Sequence, residues 1–140
     1  LGRNRKTGKK PVNMSPTPQP ALYRPPDEHL CEVVNYPVFL GDGHSLHVHQ
    51  RLYRNFIVWF AIMQRFENAA GIHDVARIDC CHGMLHRHVF DRQGVDLMDQ
   101  QPIATLYSGS ESWATVDSHF TPMYDRMLSE YMANHRRWCQ

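Results

Sequence analysis

Residues 77–94 read RIDCCHGMLHRHVFDRQG and carry three histidines (His82, His86, His88), adjacent cysteines at 80 and 81, and several Asp and Arg residues. Three readings of these side chains compete. The first is metal binding. An H-x-H pair on a strand puts two ring nitrogens on one face, and with Asp79 and His82 the pair His86 and His88 can ligate a divalent ion, the one candidate cofactor. The second is acid–base catalysis. An imidazole titrates near neutral pH, so His86 and His88 can serve as acid and base, Asp79 can orient a ring and Arg77 can neutralise an anion, as cleavage of a phosphodiester requires. RNA brings its own nucleophile, the 2′-hydroxyl; a thiol of Cys80 or Cys81 beside His86 is a further, weaker option. The third is no chemistry: a solvent-facing strand needs polar residues, and Asp–His and Arg–Asp neighbours stabilise sheets across strands.

The elements around these residues decide which of them can meet. His82-Gly83 suits a two-residue turn. Antiparallel pairing then sets Cys81 opposite Met84, Cys80 opposite Leu85, Asp79 opposite His86, Ile78 opposite Arg87 and Arg77 opposite His88. Opposed residues share a face. One face reads Ala76, Ile78, Cys80, Leu85 and Val89, with Arg87 the only intruder, and is a core face. The other holds the quartet Arg77, Asp79, His86 and His88, flanked by Cys81 and Met84. In SLHVHQRLY (45–53), Leu46, Val48 and Leu52 share one parity, and His47, His49, Arg51 and Tyr53 share the other. Whether the two histidine faces coincide depends on strand order, which these spacings leave open.

The same period-2 pattern runs through much of the chain. EVVNYPVFL (32–40) and SLHVHQRLY flank an Asp-Gly turn signal, and Pro37 marks the first of them as an edge strand or a bulged one. FIVWFAIMQRF (56–66) is apolar at both parities, so it predicts a central strand covered on both faces. ENAAGIH (67–73) reads as a turn, 74–81 and 84–91 as the strands of the hairpin, DRQG (91–94) as its closing turn, and Ile103–Tyr107 as a short last strand. From Thr121, an N-cap followed by Pro122, the period becomes helical: Met123, Tyr124, Met127, Leu128, Tyr131 and Met132 fall on one face to about residue 138, and a short helix over 110–120 precedes them. The expected fold is α+β: a small antiparallel β-meander with a C-terminal amphipathic helix packed on it.

Domain organisation follows from composition. SPTPQP (15–20) and RPP (24–26) forbid a helix interior, so residues 1–28 read as a disordered basic Pro-rich tail and 29–140 as one domain with strands over about 32–107. The net charge of +1 hides an asymmetry: residues 1–26 hold Arg3, Arg5, Lys6, Lys9, Lys10 and Arg24 and no acid, whereas the rest holds nine basic and fourteen acidic groups. A tail carrying Arg3, Arg5, Lys6, Lys9 and Lys10 can contact RNA phosphates or an acidic partner, or simply stay solvated. No run of about 18 apolar residues exists, so no membrane association is expected and a cytoplasmic location is. The first residue is Leu, so the chain reads as a fragment, a processed form or a product of a non-ATG start. Four cysteines at 31, 80, 81 and 139 form no C-x-x-C pair and read as reduced thiols, with a Cys31–Cys139 bridge left open.

Taken together, Arg77-Ile78-Asp79, His82-Gly83 and His86-Arg87-His88 make an R-h-D-x-x-H-G-x-x-H-x-H hairpin. It resembles small uncharacterised proteins of actinobacteria and their phages (a domain of unknown function), in which an apolar strand, an Asp/His hairpin and a C-terminal helix follow one another. More distantly it is similar to the TumE-type toxins of bacterial toxin–antitoxin pairs; Cys80 stands where those toxins carry Asn. The resemblance implies a ribonuclease-like enzyme acting on RNA, with Asp79, His82, His86 and His88 at the shared positions and an antitoxin-like protein as partner. The residues by themselves leave a second expectation, a non-catalytic module whose His-rich face binds a metal ion or a protein.

Overall fold

A computed structural model describes residues 20–97 and 101–140. Six strands pair in chain order into one antiparallel sheet: β1 (Glu32–Gly41), β2 (His44–Tyr53), β3 (Phe56–Asn68), β4 (Gly71–Cys81), β5 (Met84–Val89) and β6 (Gln101–Thr105). One helix, α1 (Ser112–Trp138), lies across it. The meander is the arrangement that short turns between alternating strands dictate. Both turn signals hold: Asp42-Gly43 and His82-Gly83 have positive φ at each residue, as the tight hairpin turn with the sheet's own twist requires. The β4–β5 register runs from Ala76↔Val89 to Cys81↔Met84, with every pair at 77–81 as the two-residue turn implies. Pro37 lies on the edge strand β1, although the bulge of that strand falls at Phe39/Gly41. The turn after β3 is tighter than ENAAGIH suggested, because β3 continues to Asn68 and β4 begins at Gly71.

Leu46, Val48, Phe60, Ile62, Ala76, Ile78, Leu85 and Val89 form one buried face of the sheet, joined there by Val116 and Met127 of α1. Fully burying each such aliphatic side chain contributes about 1.5–3 kcal/mol. Arg87, the one cation on this face, is not stranded: its Nη2 donates to Asn134 Oδ1 at 3.1 Å and lies 3.5 Å from Glu130. Asn134 Nδ2 in turn donates to Gln64 Oε1, and Gln64 Nε2 donates to the Tyr131 carbonyl. Gln64 and Asn134 are both buried, and this chain of bonds gives their side-chain amides partners.

Two expectations are corrected. The helix does not begin at Thr121: it starts at Ser112 and carries Pro122 inside it, so the separate helix expected over 110–120 is its first part. Proline removes a single N–H, and the first turns compensate by packing. Val116 is buried, Phe120 meets Phe60 edge-on at 5.4 Å, Trp113 meets Tyr53 at 5.0 Å, and Asp117 accepts the Ile57 N–H at 2.7 Å. At the far end Met132, expected on the apolar face, is 44% exposed.

The second correction concerns residues 20–28, expected in the tail. Leu22 bridges Tyr107, and the Tyr23 N–H donates to the Leu106 carbonyl at 3.0 Å. The Tyr23 ring is buried and its hydroxyl donates to the Val58 carbonyl. The segment then runs past Glu28 into β1 at the opposite edge, forming a strap across the end of the sheet where β4 turns into β5. An aromatic ring with a hydroxyl to satisfy outweighs the local bias of the surrounding prolines. Gly83 marks the crossing: a Cβ there would meet Leu22 Cβ at 2.7 Å. The rest of the expected tail, residues 1–19, lies outside the described residues.

A proline in a helix interior costs about 3 kcal/mol relative to alanine. Pro122→Ala is therefore expected to raise the unfolding free energy by about 1–3 kcal/mol in urea denaturation. No gain would contradict a helix that is continuous through that position.

Candidate functional site

The second face of the sheet carries the reactive residues, and strand order shows how they are set out. One row across the strands reads Pro37, His47, Met63, Arg77, His88; the next reads Asn35, His49, Ala61, Asp79, His86, Pro102. Both histidine pairs therefore stand on the same face. At about 4.8 Å per strand the pairs are roughly 14 Å apart, with β3 and β4 between them, so they do not share a ligand.

The quartet inferred from parity is assembled, and three of its members are buried while Arg77 is partly exposed. Asp79 is 8% exposed, His86 5% and His88 3%. Asp79 stands between two cationic or protonatable partners, with Arg77 Nε 2.8 Å from one carboxylate oxygen and His88 Nε2 3.4 Å from the other. The Arg77 contact is a charge pair rather than an aligned hydrogen bond, since Nε makes none. The other nitrogen of His88 meets a residue outside the quartet: Nδ1 lies 2.6 Å from Asp96 Oδ2. Asp96 arrives there because the chain after β5 folds back on itself. Asp91 accepts the Gln93 and Val95 N–H groups through its side chain, Phe90 bridges Asp96, and the Leu97 N–H donates to the Val89 carbonyl. Phe90 stacks parallel to the His88 ring at 6.3 Å, and Arg77 lies 5.8 Å from the Phe90 ring centre. His86 approaches His88 at 6.1 Å between ring centres, and its buried Nδ1 has no hydrogen-bond partner among the described residues.

His82 does not join this network. It occupies the exposed turn, and among the described residues no three His, Cys, Asp or Glu side chains gather so that they could hold a metal ion. The ligand set His82, His86, His88 and Asp79 is thus not brought together; the turn that fixes the hairpin register takes His82 off the face. The cysteine option is corrected as well. Burial pushes the Cys80 thiol up to about 12, and burial followed by the charge of Asp79 raises that of Cys81, with Arg77 opposing. Neither forms a thiolate readily. All four cysteines are free, so Cys31 and Cys139 are not bridged. His47 sits beside Ser45, its Nε2 3.1 Å from Oγ, and burial and then Arg65 lower its pKa; His49 Nδ1 pairs with Asn35 Oδ1 at 2.7 Å.

The accessible chemistry lies at the strap end. A cleft of about 600 Å³ opens between the strap and the sheet, lined by Arg24 and Glu28 of the strap, Arg51 and Trp59 of β2 and β3, and Cys81 and His82 where β4 turns. Arg51 and Trp59 are cross-strand partners, and the Arg51 guanidinium lies 4.3 Å from the indole centre. The Trp59 indole N–H donates to the Cys80 carbonyl at 2.7 Å, which locks the ring, and Arg51 Nη2 stands 3.4 Å from Glu28 Oε2. Sequence reasoning missed this cleft, because Arg24 belonged to the supposed tail and Trp59 to a strand read as wholly core. The basic residues expected to contact nucleic acid (Arg3, Arg5, Lys6, Lys9, Lys10) lie outside the described residues. Among the described residues, no helix is long and apolar enough to cross a membrane. No family model matches the chain, and no curated protein or solved structure matches it.

Removing one member of a buried charge network leaves its partners uncompensated. Asp79→Ala should destabilise the protein by about 2–4 kcal/mol, the lower end reflecting partial exposure of Arg77. Urea denaturation measures this, and a loss below about 0.5 kcal/mol, the level of an ordinary surface substitution, would show that the network does not hold β4 and β5 together.

Proposed function

We propose that the protein is a non-catalytic binding module for single-stranded RNA, which it grips at the cleft under the strap. The observation that carries this reading is a division of labour on the second face. The histidines suited to acid–base work are buried, and His88 is tied to Asp96 through Nδ1 and lies 3.4 Å from Asp79 through Nε2. The open cleft combines Arg24, Arg51 and His82 with a fixed indole. Cationic groups that track phosphates beside an aromatic or guanidinium plane that stacks a base are how single strands are held without sequence readout. The basic residues Arg3, Arg5, Lys6, Lys9 and Lys10 precede the strap in the chain and would add phosphate contacts. The resemblance of the hairpin to toxin hairpins supports RNA as the ligand class, while the burial of His86 and His88 favours binding over cleavage.

A fluorescein-labelled ten-residue oligouridylate, followed by anisotropy, tests the proposal. Binding should weaken as salt rises, with a slope of about 0.7 in log K per phosphate neutralised. Arg51→Ala should weaken it about tenfold, and Trp59→Leu by a comparable factor, since a charge-assisted bond or a stacked base is worth about 1–3 kcal/mol. RNA recovered after prolonged incubation should be intact. Cleavage that disappears in His86→Ala would establish the catalytic reading instead, and absence of binding would remove RNA as the partner.

A further inference from the structure

We infer that Glu28 is a built-in competitor of the cleft: its carboxylate stands where a ligand phosphate meets Arg51, and ligand entry exchanges one anion for the other. The inference rests on the cleft being the RNA site. Arg51 is held for anion recognition before any ligand arrives. Its guanidinium carbon lies over the Trp59 ring, 4.3 Å from the ring centre, which restrains the side chain, and among the described residues its carboxylate partner is Glu28. That partner is loosely held. The Nη2–Oε2 distance is 3.4 Å, against about 2.7–2.9 Å for a good charge-assisted bond, and the Glu28 side chain is 63% exposed while that of Arg51 is 25% exposed. An exposed pair of this kind contributes little, because water and salt screen it. A phosphate can accept two parallel N–H groups of the fork and outbid a single-point carboxylate.

The position of Glu28 in the fold allows the exchange. It opens the 3-10 turn Glu28–Leu30, a three-residue piece between the Tyr23 anchor and the start of β1. The turn is closed by its own bonds, Leu30 N–H to Asp27 O and Cys31 N–H to Glu28 O, both 2.9 Å. The Glu28 side chain can therefore swing out while the strap and the sheet stay in place. The surrounding charge is balanced so that the exchange matters: Asp27 and Glu28 line the same cleft as Arg24, Arg51 and His82. With Glu28 on Arg51, the site discriminates against weak anions; an RNA phosphate, supported by a neighbouring base and a second cation, displaces it.

The test compares the full chain with Glu28→Gln and Asp27→Asn, using the labelled oligouridylate. Asp27 lines the same cleft, so its variant measures the effect of merely removing a negative charge nearby. Glu28→Gln should tighten binding about threefold to fivefold, Asp27→Asn by a clearly smaller factor, and the gain should vanish when Glu28→Gln is combined with Arg51→Ala. Equal effects of the two single variants, or a gain that survives Arg51→Ala, would overturn the competitor role while leaving the cleft as the RNA site. Binding by neither wild type nor Glu28→Gln would remove the cleft reading, and the competitor with it.

Discussion

His82 and Gly83 both take positive φ, 51° and 73°, and this two-residue reversal sets every cross-strand neighbour in the β4–β5 hairpin. A slip of β5 by one residue against β4 would turn Leu85 and Val89 to the polar face and send His86 and His88 under the helix. Because β4 also pairs with β3, and β3 with β2, the same register carries into the rows that cross the sheet. Gly83 is held a second way, by the close approach of Leu22. One turn therefore positions both the buried charge network and the strap that walls the cleft.

The second face of the sheet shows how a polar surface becomes structural. Burying a carboxylate is costly unless cations and donors surround it. Asp79 is offset by the Arg77 charge at 2.8 Å and stands 3.4 Å from His88, which in turn pairs with Asp96 on the returning chain. The network ties β4, β5 and the segment after β5 into one unit, a role that matches its burial. Such an arrangement commits the histidines to holding the strands together, while Arg51 and Trp59 line the open cleft at the end of the sheet.

Much of this was legible from residue order. Alternation and the two Xaa-Gly turns gave the meander, the β4–β5 register and the sorting of Cys80 inward and Arg77 outward. Other features were hidden for identifiable reasons. Thr121-Pro122 has the local chemistry of a helix start, yet Trp113, Val116 and Phe120 continue the apolar stripe of Met123 and Met127 at spacings of three and four, and tertiary packing decides in favour of one helix. Tyr23 sits among prolines, and its burial depends on a carbonyl thirty-five positions away in the chain. Parity places the quartet on a face but is silent on what lies over it, and Asp96 falls after an irregular turn where parity has no force. The cleft needed three separate segments to be brought to one end of the sheet, which no local pattern encodes.

The most direct test of the division between scaffold and rim is a titration of ¹⁵N-labelled protein with unlabelled oligouridylate, followed by amide, indole and imidazole NMR signals. The account predicts that the largest shifts fall on the Trp59 indole N–H and on the amides of Arg24, Glu28, Arg51, His82 and Gly83, while the imidazole signals of His86 and His88 stay in place. Shifts centred on His86, His88 and Asp79 with an unmoved Trp59 indole would contradict it and return those histidines to the reacting site.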